Sequence, residues 1–205
     1  MERLLHTLVI LWVLTWAPIV ASAQQNRPPD APPPPPPPAD DYSPKRWKEF
    51  SSQEGGFKVL LPGKPQASDT TAKSAVGDLA IHTFTYQGVI GYTVLYIDYP
   101  ANVEDPASTK KFFDAMRDGG ISNVAQANPR IVKETDFSLG GHPGRSLQIE
   151  LAGDMVIRIR YIALKNRVYN LIATSRKAQA NIMGSENDYE LIATAFLDSF
   201  QLTKF

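Results

Sequence analysis

Arg158 and Arg160 stand two residues apart in the run Met155–Leu164, whose residue types favour a strand. At a period of two, Val156, Arg158, Arg160 and Ile162 share one face, and Met155, Ile157, Ile159 and Tyr161 share the other. Two neighbouring guanidiniums present forks of N–H donors that fit a carboxylate or phosphate. With Ser146 and Gln148 opposite them on the preceding strand, the pair is a candidate anion-binding site. The competing reading gives one arginine to Glu150 in a cross-strand ion pair under a helix. His142, in Gly140-Gly-His-Pro-Gly144, is the other candidate binding residue, because loops often carry function. The glycines and Pro143 around it also have a purely structural explanation, since such a loop needs unusual backbone angles. His82 lies mid-strand between Ile81 and Thr83 and reads as a surface or half-buried strand residue. Asp98, Glu104 and Asp105 are close in sequence, but Asp98 fits strand alternation and Asp105 fits a helix cap.

No catalytic constellation accompanies these residues. The chain has no cysteine, which removes disulfides, thiolate metal sites and cysteine nucleophiles together. It has no G-x-S-x-G nucleophile elbow, no G-x-G-x-x-G or G-x-x-x-x-G-K phosphate loop, and no H-E-x-x-H. The reading is therefore no catalytic residue, no metal and no cofactor.

The N-terminus bears on location. Arg3 precedes an uncharged stretch with the apolar core Leu8–Leu14; Pro18 breaks it, and Ala21-Ser22-Ala23 has the small-x-small pattern of a signal-peptidase site. Residues 1–23 are expected to be a signal peptide cleaved after Ala23, giving an extracytoplasmic protein, periplasmic or secreted. The rival is an uncleaved anchor, since about 20 apolar residues suffice to span a bilayer. Residues 24–44 follow as a linker with Pro28, Pro29 and Pro32–Pro38, which cannot join a helix or a sheet ladder. The run should be a polyproline spacer of roughly 30 Å. Residues 45–205 form the folded domain. The chain carries 21 basic and 21 acidic residues. Setting aside Glu2, Arg3, Arg27, Asp30, Asp40 and Asp41 leaves the domain nearly neutral. A neutral domain lacks the footprint of a nucleic-acid binder. The partners expected are an envelope protein or a cell-wall component, and a membrane only if the N-terminal segment stays uncleaved.

Elements that would position the candidate residues can be read along the domain. Lys45–Phe50 leads into a turn at Ser51–Gly56, and Phe57–Leu61 is a strand stopped by Pro62-Gly63. Gln66–Val76, Leu79–Gln87 and Tyr92–Tyr99 continue a meander. A helix starts with Asp105 as N-cap and Pro106 at N1, buries Thr109, Phe112, Phe113 and Met116, and stops at Gly119-Gly120. Strands over Arg130–Phe137, Arg145–Leu151, Met155–Leu164 and Val168–Thr174 follow, with Ser138–Gly144 a loop. Val168–Thr174 is apolar on both faces, as a central strand would be. A last helix opens with Ser185 and Asp188 in a capping-box pattern and turns Tyr189, Ile192 and Phe196 inward, flanked by Leu191 and Ala195. Phe200–Leu202 closes the chain as a short edge strand. The sum is an α+β domain with an antiparallel sheet of about seven or eight strands.

The layout resembles the PsbP-like superfamily. The resemblance is carried by Trp47 and Phe50 before Gly56-Phe-Lys-Val-Leu-Leu-Pro-Gly63, by Leu139-Gly-Gly-His-Pro-Gly-Arg145, by Arg167-Val-Tyr-Asn-Leu171, and by Phe196-Leu-Asp-Ser-Phe200. It implies an antiparallel sheet sandwiched between helices, and a role in binding or accessory assembly rather than catalysis. The leading functional reading is an exported, non-enzymatic binding or accessory module of the envelope. The alternative is a small-ligand carrier or hydrolase with a pocket near Gly140–Gly144.

Overall fold

The computed structural model describes residues 43–74, 77–177 and 186–203. The expected signal segment, almost all of the linker, and the Ser185–Asp188 capping box lie outside the residues whose structure and side chains are described. The strands are β1 (Lys48–Ser52), β2 (Phe57–Leu61), β3 (Gln66–Ser74), β4 (Gly77–Tyr86), β5 (Gly91–Asp98), β6 (Arg130–Leu139), β7 (His142–Leu151), β8 (Met155–Leu164), β9 (Arg167–Arg176) and β10 (Gln201–Leu202). The helices are α1 (Pro106–Asn123) and α2 (Glu186–Ser199). None of the described helices is long and apolar enough to cross a membrane.

The strands form two sheets rather than one. The main sheet has seven strands in the order β3-β4-β5-β9-β8-β7-β6, and a second has three in the order β1-β2-β10. The pairings within both sheets are antiparallel. β9, apolar on both faces, lies between β5 and β8 in the middle of the main sheet, as its composition predicts. β1 reads poorly in sequence because Lys48, Glu49 and Ser51 face water. β10 does not extend the main sheet; it pairs with β2 through Gln201–Lys58 and Leu202–Phe57.

One core lies between the main sheet and a layer made of α2 and the small sheet. It is built on Phe57, Tyr92, Tyr96, Tyr169, Phe196 and Phe200, each 2% exposed or less. The other lies under α1 and includes Phe113, Met116, Ile97, Leu147, Ile157 and Tyr161. The main sheet is thus covered by one helix on one face and by a helix plus a small sheet on the other. The domain is mostly β, with less helix over the sheet than the expected sandwich.

Local chemistry explains most boundaries. Asp105 caps α1, its Oδ2 accepting from the Ser108 N–H at 3.1 Å. The helix does not stop at Gly119-Gly120 but runs on to Asn123. Packing of Ile121 against the core offsets the helix penalty of about 1 kcal/mol per glycine. Ser138–Gly144 is not a loop either. β6 and β7 run to within two residues of each other, and Gly140 and Gly141 alone make the turn at φ of 60° and 91°. That is a two-residue hairpin, which needs positive φ at both central positions. On α2, Tyr189, Ile192 and Phe196 are buried as expected, but Ala193 and Leu197 complete the stripe and Leu191 is 70% exposed.

Candidate functional site

β8 sets the arginines where its alternation predicts. Ile157, Ile159 and Tyr161 enter the core under α1, whereas Ile162 enters the core under α2. Arg158 and Arg160 therefore lie on the α2 side. Pairing fixes their neighbours: Arg160 is opposite Ser146, and Arg158 is opposite Gln148. Each row continues to the edge strand β6, where Thr135 pairs with Ser146 and Lys133 with Gln148. One row further on, Ile162 is opposite Gly144, and Gly144 opposite Phe137. The α2-side face of β6–β8 thus grades from apolar at Phe137 and Ile162 to cationic at Lys133 and Arg158.

α2 leaves the outer part of this face uncovered, and an open cleft of about 370 Å³ lies between them. Phe137, Leu139, Ile162 and Leu197 give it apolar walls, and Thr135, Ser146, Arg160 and Asp198 give it polar ones. Gly144 makes room for this geometry: a Cβ there would come within 2.5 Å of the Phe137 ring. Arg160 bridges the cleft to Asp198 on α2 at 2.6 Å and lies over the Phe137 ring at 5.5 Å. Arg158 differs. Burial pulls its guanidinium below the usual arginine range, and only the field of Glu190 on α2 opposes this. Among the described residues no carboxylate lies within ion-pairing distance of it.

Glu150 is not the partner of either arginine. It is opposite Val156 on β8 and Arg130 on β6, one register step beyond Arg158. Its carboxylate goes to Arg130 and, at 2.7 Å, to Lys177, which hold it below the ordinary carboxylate range. Asp198 takes the place expected of Glu150. α2 positions it, so strand alternation alone gave no signal for it.

His142 belongs to a different cluster. It is the first residue of β7, four residues before Ser146, so about 14 Å of strand separates it from Arg160. Its Nδ1 is 2.6 Å from Glu104 Oε1. Glu104 Oε2 accepts from the Lys165 N–H at 2.9 Å. The carboxylate therefore ties the segment before α1 to the β6–β7 and β8–β9 turns. Burial works against its charge, but the hydrogen bonds from His142 and Lys165 hold it below the ordinary range. The three acids that are close in sequence separate in space: Asp98 takes both Nε and one terminal nitrogen of Arg167, Glu104 makes this staple, and Asp105 caps α1. His82 is half-buried on β4, its Nδ1 2.8 Å from Asp69 and its ring stacked on Tyr96 at 4.6 Å.

A second charged cluster joins α1 to β6 and β7. Arg145, 3% exposed, bonds Asp114, Asp136 and Glu134 and lies over Phe113 at 5.6 Å. Arg117 bonds Asp114, Asp118 and Glu134 around it. Sequence reading missed this network, because its members come from three elements and form no motif. Among the described residues no group of three or more His, Asp or Glu side chains is placed to hold a metal ion.

The architecture has known counterparts. The solution structure of cyanobacterial PsbP (CyanoP) from Synechocystis sp. PCC 6803 superposes with a TM-score of 0.52 and 11% identity, covering 76% of this chain and 92% of that one. The fold is PsbP-like. Two further solved structures superpose less well. The Ran-binding protein Mog1p of Saccharomyces cerevisiae gives a TM-score of 0.41 at 10% identity, covering 77% of this chain and 96% of that one. A protein of unknown function from Pseudomonas aeruginosa, PA94, described as a putative regulator, gives 0.38 at 11%, covering 73% and 94%. No protein-family model matches the chain, and no curated protein is detectably similar to it.

Proposed function

We propose that this protein is an exported, non-enzymatic binding or accessory module of the cell envelope, and that it engages a partner protein through the cleft between α2 and the β6–β7 hairpin. The cleft itself carries the reading: an open-sided trough with apolar walls and a guanidinium at its rim. Such a surface suits a segment of a macromolecule, whereas small-molecule sites are enclosed and bury most of their ligand. The ionisable groups nearest to catalytic types are engaged within the fold, His142 with Glu104 and His82 with Asp69. The Met1–Ala23 pattern supports export, and the proline run supports a tether between the domain and whatever anchors it.

Site-specific photocrosslinking in intact cells tests the proposal. A photoreactive residue at Ser138, exposed at the cleft, should give discrete protein adducts. One at Thr70, exposed on the opposite sheet edge, should not. The mature protein should begin at Gln24 and fractionate outside the cytoplasm. Equal adducts from both positions, or a cytoplasmic chain retaining Met1, would refute it. The second reading, a small-ligand carrier, rests on the cleft reaching Ser138 and Leu139 beside the Gly140–Gly141 turn. A non-covalent passenger in the native mass spectrum would favour it instead.

A further inference from the structure

The proposed docking reading leaves the chemistry of the partner open, and the charge distribution along the cleft narrows it. Over the α2-side face of β6–β8, Asp198 pairs with Arg160, Glu150 pairs with Arg130 and Lys177, and Glu190 on α2 reaches Arg158 only through its field. Arg158 and Lys133 are not paired with any described carboxylate. They flank Gln148 in a single cross-strand row, Lys133 on β6 and Arg158 on β8. Half-buried and without an ion pair among the described residues, the Arg158 guanidinium loses hydration that only the field of Glu190 on α2 offsets, and a partner carboxylate would add a direct counter-charge. The apolar end of the same face, at Phe137, Leu139 and Leu197, is likewise open to the cleft.

Resting on the docking reading above, we infer that the cleft, together with the cross-strand row just beyond its lining, binds an extended peptide segment carrying an apolar side chain and a carboxylate four residues apart, the apolar group in the cleft against Phe137 and Leu139 and the carboxylate on that next row between Lys133 and Arg158. The spacing follows from the register. Phe137 and Lys133 are four residues apart on β6 and on the same face, a span of roughly 13 Å. An extended ligand advances by about the same rise per residue, so its positions i and i+4 reach both ends and point the same way. The intervening row, Thr135, Ser146 and Arg160, faces position i+2 and suits a polar side chain there. A helical ligand would need about nine residues to cover the distance.

The test is selection of a random-peptide display library on the full chain, repeated on Arg158→Gln and on Lys133→Glu. Lys133 is exposed, so its substitution leaves the fold intact, and matching thermal midpoints verify this for both variants. The expected result is enrichment of peptides with Asp or Glu four positions from Leu, Phe or Ile, in either direction. Both variants should then lose the acid preference, and a synthetic peptide of the enriched sequence should bind them about ten-fold more weakly. Enrichment without an acid, or with an acid preference that survives both substitutions, overturns this inference and leaves the docking reading standing. Enrichment of acid and apolar residues about nine apart overturns the extended geometry. No enrichment on the wild-type chain overturns the docking reading together with the inference.

Discussion

Replacing Arg145 with alanine should remove about 3–4 kcal/mol of stability at pH 7. Arg145 is 3% exposed and joins Asp114, Glu134 and Asp136, so its loss takes a counter-charge from three carboxylates on α1 and β6 and leaves Arg117 to bridge Asp114 and Glu134 without it. For a fully buried pair, deleting one partner removes about 3–5 kcal/mol. Here the acids are 30%, 29% and 66% exposed, and water recovers part of their solvation. That lowers the charge contribution to about 2–3 kcal/mol. The arginine stem and its cation–π contact with Phe113 add about 1 kcal/mol. At about 2–4 °C per kcal/mol, the melting midpoint should fall by roughly 6–16 °C. The pH dependence provides a second check. Burial works against the charge of Asp114, but Arg145 and Lys110 hold its carboxyl below the usual 3.8. A depressed folded-state pKa contributes stability above the unfolded value and loses it as pH falls through the folded one. The gap between wild type and variant, measured by urea denaturation, should therefore narrow as pH falls from about 7 to about 3. A gap under about 1 kcal/mol at neutral pH, or one that does not change with pH, would refute this account.

Glu104→Gln should lower stability by about 1–2 kcal/mol at neutral pH. Because the Glu104 carboxyl is held below its usual 4.5, its contribution fades on acidification, and urea midpoints of variant and wild type should converge there. Gly144→Ala places a methyl 2.5 Å from the Phe137 ring, so the ring must move. About 1–3 kcal/mol of stability should be lost, with crosslinking from Ser138 reduced, as thermal melts and adduct yields would report. Phe196→Ala removes a fully buried ring that packs on Tyr92 at 4.9 Å, and should lose about 3–5 kcal/mol by chemical denaturation. Asp105→Ala removes the α1 cap and should cost about 1 kcal/mol, read as a small fall in the thermal midpoint.

How legible each feature was depended on how local its cause is. The alternation on β8 placed Arg158 and Arg160 on one face because strand geometry alone decides it. Asp105 and Pro106 marked the start of α1 because a cap is a contact within one turn. The end of α1 was misread because Ile121 holds it through packing, which two glycines in a row conceal. The length of the β6–β7 hairpin was misread for a related reason: His142, Pro143 and Gly144 look like loop residues, yet the register with β6 makes them strand. Asp198 and Glu104 were hidden most deeply. Each meets its partner across many residues of chain, Asp198 with Arg160 and Glu104 with His142, and no spacing rule reaches that far. The division into two sheets was likewise invisible, since β10 has only two residues and finds β2 near the other end of the domain.

That distant pairing sets an order of events for folding. Within the main sheet, β3–β5 and β6–β9 are two meanders of consecutive hairpins, each able to pair through short loops. Short loops close at small entropic cost, so both can form early. The seam between them joins β5 to β9, with Gly91 opposite Thr174 and Asp98 opposite Arg167, and must wait for α1 to bridge the meanders. In the small sheet the β1–β2 hairpin is local, and the β2–β10 pairing comes last. β2 receives β10 only after almost the whole domain has emerged, and the Thr203 N–H then bonds the Gly56 carbonyl at 2.9 Å. Until that clasp closes, the face of β2 that Phe200 covers stays open, with Phe57 and Tyr169 beneath it. A nascent chain lacking its final residues is thus a nearly finished fold with an exposed aromatic core, the state in which a chaperone would find most to hold.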